Sequence, residues 1–108
     1  MAITPEGKVK KMLDKMLKGK GIWYFAPQSG PYGVSGIPDR IACVAGTFVG
    51  IECKRDDKAQ LTALQAQCLE KIKVAGGKTA VVYDQATVIS LSISLQGLID
   101  AKNEVHDA

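Results

Sequence analysis

The chain contains no apolar run long enough to span a bilayer and no hydrophobic segment of the signal-peptide kind. Its first twenty residues instead carry Lys8, Lys10, Lys11, Lys15, Lys18 and Lys20 in a helical pattern. These two absences point to an intracellular protein. Cysteine is scarce and odd in number: Cys43, Cys53 and Cys68 show neither close pairing nor metal-ligand spacing, and the one histidine, His106, lies in a polar tail. Structural zinc and a Cys-His nucleophile are therefore not expected, and reduced, packed thiols are. There is no repeat, linker or low-complexity tract. With 108 residues, 46% of them hydrophobic, residues 1–108 read as a single domain able to bury a modest core without staples.

The chain does hold two carboxylates and an amine at a telling spacing. Gly36-Ile37-Pro38-Asp39 is followed thirteen positions later by Glu52-Cys53-Lys54. Ile41–Ala45 and Thr47–Cys53 are short runs rich in β-branched residues, parted by Gly46, and read as the two strands of an antiparallel hairpin. A turn centred on Gly46-Thr47 sets Asp39 opposite Lys54 and Ile41 opposite Glu52. Because successive side chains alternate faces, Asp39, Glu52 and Lys54 then share one face, with Arg40, Ile51 and Cys53 on the other. A slip of one residue would destroy the set.

These residue types suit one chemistry. Magnesium favours octahedral oxygen coordination and keeps several waters, so one or two carboxylates with a backbone carbonyl and a substrate phosphate suffice to hold it. Asp39, Glu52 and the Cys53 carbonyl form such a set. An ammonium two residues beyond the second carboxylate, Lys54, can orient an attacking water or offset charge in the transition state.

Thr4-Pro5-Glu6 reads as an N-cap with proline at the first helical position, opening a helix to about Lys18 before Gly19 and Gly21. Val9, Met12, Leu13, Met16 and Leu17 form its apolar stripe, and Glu6 falls within the angular range of that stripe. Either the helix dipole or a site role accounts for a carboxylate there. A second helix is expected over Thr62–Ala75, with Leu61, Leu64, Cys68, Leu69 and Ile72 inward and Gln65 central on the same face. Thr62-Ala63-Leu64-Gln65 also fits a capping box, so Gln65 has two readings that need not exclude each other.

Net charge is only +3, but the basic residues are grouped. Lys8, Lys11, Lys15 and Lys18 share the polar side of the first helix, and Arg55 and Lys58 follow Lys54, where phosphate contact is expected. The loop Ala26–Ile37 holds Pro27, Gly30, Pro31, Gly33 and Gly36 with Ser29, Tyr32 and Ser35 among them, so backbone and small polar groups can approach a phosphate and Tyr32 can stack on a base. No Gly-Lys-Ser/Thr follows, so it is not a P-loop. Ile22–Ala26 and Lys78–Tyr83 are further strands, Leu95–Glu104 is a closing helix, and Ala86–Ser94 satisfies neither strand nor helix period cleanly. The expected fold is α/β: a central mixed sheet of about four strands with helices on both faces, in the order helix, strand, strand, strand, helix, strand, helix.

Gly-Val-Ser-Gly-Ile-Pro-Asp (33–39), Ile-Glu-Cys-Lys-Arg (51–55), Leu-Thr-Ala-Leu-Gln (61–65) and Gly76-Gly77 together resemble the VRR-NUC branch of the PD-(D/E)xK nuclease superfamily, over about residues 4–85. Similar members are small stand-alone proteins of phage and bacteria, and the domain also occurs within larger repair nucleases. The resemblance implies a metal-dependent, structure-directed DNA endonuclease using Mg2+, with Mn2+ able to substitute, in the cytoplasm of a bacterial or phage-infected cell. Its active positions fall on Glu6, Asp39, Glu52, Lys54 and Gln65; the proline usual just before the glutamine region is Ala63 here. DNA contacts are expected from Lys8, Lys11, Ser29, Tyr32, Ser35, Arg55 and Lys58. With no module for reading bases, substrate choice should rest on DNA shape, and a two-fold homodimer would match the symmetry of a four-way (Holliday) junction. The Val-, Ile- and Leu-rich segment after Lys78 is the expected interface. A sequence-specific restriction-type endonuclease, a catalytically silent DNA-binding module and a structural phage or host-interaction protein are the alternatives.

Overall fold

A computed structural model describes residues 2–28 and 35–107, without the side chains of 105–107. The elements follow the expected order: α1 (Pro5–Gly19), β1 (Trp23–Phe25), β2 (Arg40–Val44), β3 (Thr47–Cys53), α2 (Ala63–Val74), β4 (Lys78–Val82) and α3 (Gln85–Asp107). The sheet runs β1-β2-β3-β4 and is mixed, since β1, β2 and β3 pair antiparallel while β4 joins β3 in parallel through the α2 crossover. Among the described residues, no helix is long and apolar enough to cross a membrane.

Alternation along the strands divides the sheet into two faces. Ala42, Val44, Val49, Ile51, Cys53 and Val82 point to one side, where they pack with Val9, Leu13 and Leu17 of α1 and Val88, Leu91 and Leu95 of α3 into a single core. The other side carries α2 and holds Asp39, Ile41, Gly50, Glu52 and Lys54. The predicted segregation of faces is therefore present, but the register differs from that expected. The turn is Ala45-Gly46, with φ of 52° and 84°, closing a two-residue hairpin in which Val44 pairs with Thr47 and Ile41 with Gly50. Asp39 thus lies across from Glu52 and not Lys54, and Ile41 does not oppose Glu52. Moving a turn by one residue shifts each pairing by two, so every side chain keeps its face.

The closing helix is more than twice the length expected. It begins at Gln85 because Asp84 and Thr87 cap it reciprocally: Thr87 N donates to Asp84 Oδ1 at 2.8 Å and Asp84 N donates to Thr87 Oγ1 at 3.1 Å. Buried Val88, Leu91 and Leu95 keep helical spacing; Ile89 and Ile93 on the outer side had blurred it. β1 is shorter than Ile22–Ala26, β2 starts one residue earlier, and β4 stops at Val82. Leu64, expected inward, is 53% exposed, and Cys43 is exposed and Cys68 half-buried, so only Cys53 is a fully packed thiol.

Gly36 joins the loop before β2 to the start of α2. Its φ is +83°, and a Cβ there would lie 2.6 Å from the carbonyl carbon and oxygen of Leu64. Gly36→Ala therefore carries both left-handed strain and a backbone clash. It is expected to destabilise the fold by about 1–3 kcal/mol in urea titration, the usual range for a strained backbone position. An unchanged midpoint would show that this contact does not fix the loop.

Candidate active site

The hairpin register creates the site. Backbone groups of successive strand residues point alternately to opposite neighbours, and Lys54 N donates to Val82 O of β4 at 2.9 Å. Glu52, two residues earlier, therefore also points its backbone to β4, which makes Asp39 and Glu52 a non-hydrogen-bonded pair, the closer kind, with side chains on one face. The backbone of Cys53 points the other way, and its N–H donates to Asp39 Oδ2 at 2.8 Å. The carboxylate of Asp39 thus takes over the ladder where β2 begins, and the Cys53 carbonyl faces that same side.

Glu52 is 3% exposed, and no donor reaches its Oε2 among the described residues. Two ionised carboxylates here would repel each other with no donor between them. Burial, and then the hydrogen bond and charge of Asp39, push Glu52 up to about 9, against a smaller opposing pull from Lys54. Asp39 moves the other way. Burial favours its neutral form, but the Glu52 carboxyl, the Cys53 N–H and Lys10 outweigh that and hold it below the ordinary aspartate value. At neutral pH the pair therefore shares one proton, carried on the Glu52 side.

Lys54 is 9% exposed, and its Nζ donates to Gln65 Oε1 at 2.8 Å, which leaves further N–H groups for a ligand. Gln65 fills both roles left open by its sequence. Its Oε1 also accepts from Thr62 N at 2.9 Å while Thr62 Oγ1 accepts from Gln65 N at 3.2 Å, completing the capping box. With Oε1 so fixed, Nε2 faces Glu52 Oε1 at 3.5 Å. The first turn of α2 thereby sets the position of the ammonium.

Glu6 stands on the rim and does not enter the inner cluster. It reaches the site through Lys10, whose Nζ lies 3.5 Å from both Glu6 Oε2 and Asp39 Oδ1. Burial alone would lower Lys10, yet the two carboxylates hold it above the usual lysine value. Sequence reasoning passed over Lys10 as a site residue; its i,i+4 relation to Glu6 was the available signal. It also passed over the Arg40–Asp14 pair. Arg40 Nε and Nη2 donate to the Asp14 carboxylate at 2.7 and 3.0 Å while Nη1 donates to the Asp39 carbonyl at 2.8 Å, tying α1 to the strand beneath the site. Burial pushes the Cys53 thiol up to about 12, as suits an inert core residue on the opposite face.

Of the expected DNA contacts, Lys8 and Lys11 lie on the solvent side of α1, and Arg55, Lys58 and Ser35 are exposed near the site. Ser29 and Tyr32 lie outside the described residues. No group of three or more His, Cys, Asp or Glu side chains able to hold a metal occurs among the described residues. The oxygen set of Asp39, Glu52 and the Cys53 carbonyl fits a hard cation that keeps its own waters, and the unpartnered Glu52 Oε2 is a position such a cation would satisfy. It does not fit zinc.

No protein-family model and no curated protein matches the chain. A solved structure described as a VRR_NUC domain is similar to it at 22% identity and a TM-score of 0.72, covering 82% of this chain and 94% of that one. The chain has the fold of a VRR_NUC domain.

The Glu52 shift sets a testable stability profile. Its folded value of about 9 exceeds the ordinary 4.5, so between those limits the folded state holds the extra proton and stability falls as pH rises. Glu52→Gln removes that decline. In EDTA at pH 8.5 the variant is expected to melt higher than the parent, with the gap narrowing towards pH 5. A variant that melts lower at pH 8.5 would contradict the buried-proton assignment.

Proposed function

We propose that the protein is a metal-dependent DNA endonuclease that hydrolyses phosphodiester bonds at the Asp39–Glu52 pair, with branched DNA such as a four-way junction as its substrate. The observation that carries this reading is the buried Glu52 carboxyl, one oxygen of it reached by no donor, directly opposed by the half-buried Asp39 carboxylate and with the Lys54 ammonium beside it. Likeness of fold to a VRR_NUC domain supports it.

Asp39, Glu52 and the Cys53 carbonyl would hold Mg2+, or Mn2+ in its place. When bound, the ion supplies Lewis-acid polarisation of the phosphate and lowers the pKa of a water. The chain's own residues do the rest. Gln65 holds Lys54 with its remaining N–H groups turned to the substrate, where they orient the attacking water or offset charge on the phosphate oxygens. Lys10 keeps Asp39 ionised and poised at the rim with Glu6. Arg55 and Lys58, exposed just past the site, contact the DNA backbone, as do Lys8 and Lys11 of α1 and Ser35 of the loop.

A two-fold dimer would bring two such sites to one junction. Much of the segment after Lys78 closes the monomer core through Val82, Val88, Leu91 and Leu95, but Ile89 and Ile93 of α3 stay exposed and offer apolar side chains for an interface. Light scattering at micromolar concentration is expected to give twice 11.5 kDa; a species of 11.5 kDa alone would refute the dimer.

Labelled junction, flap and linear DNAs incubated with and without Mg2+ test the activity. Asp39→Asn and Glu52→Gln are each expected to abolish cleavage while DNA binding persists or tightens, because each loses a metal ligand and Asp39→Asn also loses the negative charge the pair carries at neutral pH. Lys54→Ala should lower the rate by about 10²–10³ while keeping metal affinity. Parental turnover by either carboxylate variant at ordinary magnesium would overturn the assignment, and equal cutting of linear and branched DNA would favour a restriction-type enzyme.

A further inference from the structure

α2 covers only the β3–β4 half of its side of the sheet. On the β1–β2 half, the rows that contain Asp39 continue as Ile41 and Cys43, flanked by Phe25 and Trp23 of β1 and by Phe48 of β3. Trp23 is 64% exposed, and Phe25 and Phe48 about half. The Trp23 and Phe25 rings stand 5.6 Å apart and tilted, with their surfaces open. Exposed aromatics in such density on a sheet mark a surface that meets a partner.

Three observations choose the partner. First, the platform is continuous with the carboxylate pair: Phe25 pairs with Ile41, one row from Asp39, and Trp23 with Cys43, two rows away, or about 7 and 14 Å along the strand. Second, no carboxylate other than Asp39 and Glu52 lies among the described strand residues of this face. Third, lysines stand at its end away from the site: Lys71 of α2 shares a groove with Phe48, and Lys102 of α3 and Lys20, whose Nζ donates to Gln96 Oε1 at 2.7 Å, share one with Trp23 around the end of the sheet. An apolar platform with a basic rim leading to a phosphodiester site suits an unpaired strand, whose bases stack while its phosphates meet cations.

We infer that Trp23 and Phe25 form a stacking platform for unpaired bases of the DNA strand lying next to the scissile phosphate. This rests on the nuclease reading of the Asp39–Glu52 site and narrows it, since it assigns preference for flapped DNA to the bases a flap leaves unpaired; a four-way junction, whose arms are fully paired, would engage the platform only where pairs open at the branch point. Intact duplex, with its bases already stacked, has nothing to offer the platform. Both side chains are exposed, so their loss leaves the core intact.

Trp23 is the sole tryptophan, so emission excited where only tryptophan absorbs reports on the platform alone. In EDTA, oligo(dT) and a flapped duplex are expected to quench that emission, and a blunt duplex is not. Trp23→Ala and Phe25→Ala should each weaken oligo(dT) binding about tenfold by anisotropy of labelled DNA, with blunt-duplex affinity unchanged and Trp23→Phe largely restoring it. Constant emission at saturating oligo(dT), or equal losses for duplex and single strand, would overturn the inference. So would emission that tracks protein concentration alone with a doubling of mass lost in Trp23→Ala, which would make the face a contact between two copies. If the parent cleaves DNA in Mg2+ while its emission ignores oligo(dT), only the platform fails; if it cleaves none of the DNAs, the nuclease reading itself fails.

Discussion

Two carboxyl groups set face to face, one of them buried and the other half-buried, repel unless something positive or a proton comes between them, and the organisation of this molecule follows from how that repulsion is managed. The Ala45-Gly46 turn places Asp39 directly across from Glu52 in a non-hydrogen-bonded pair, where side chains approach most closely. The Cys53 N–H and Lys10 favour ionised Asp39, so the proton falls to Glu52. A cation in place of that proton would relieve the same repulsion and satisfy Glu52 Oε2 as well. On the proposed reading, a preference for metal would be built from the cost of leaving the pair without one.

Around this pair, each supporting contact comes from a different element. Lys10 arrives from α1, Gln65 from the capped start of α2, and the Asp39 carbonyl is held by Arg40, itself fixed to Asp14 of α1. Gly36 lets the preceding loop lie against the backbone of α2 at Leu64. Both layers of helices therefore meet at the edge of the hairpin, although the core packs on the opposite face. Such placement on rigid elements holds a catalytic constellation better than loops alone.

Much of this was legible in the sequence because the decisive signals were local. The β-branched runs around Gly46, the Thr4 and Thr62 caps and the Gly76-Gly77 stop gave the element order, and period-two alternation grouped Asp39, Glu52 and Lys54 on one face. The exact partner of Asp39 was not legible, since Ala45 occupies a left-handed turn position that alanine seldom takes. The outward Ile89 and Ile93 hid the start of α3, and the reciprocal Asp84–Thr87 cap was the cue that would have revealed it. The i,i+4 relation of Lys10 to Glu6 could be read, but the contacts of Lys10 with Asp39 and of Asp14 with Arg40 join α1 to a strand distant in sequence, and no spacing rule brings those partners together. The aromatic face likewise emerges only when β1 is laid beside β2.

Calorimetric titration of the protein with Mn2+ at pH 7, in buffers of differing ionisation enthalpy, counts the protons released as the ion binds. Release of close to one proton per ion, lost together with most of the affinity in Glu52→Gln, is the result expected if a cation takes the place of the proton shared by Asp39 and Glu52. Binding that releases no proton and survives Glu52→Gln would contradict it.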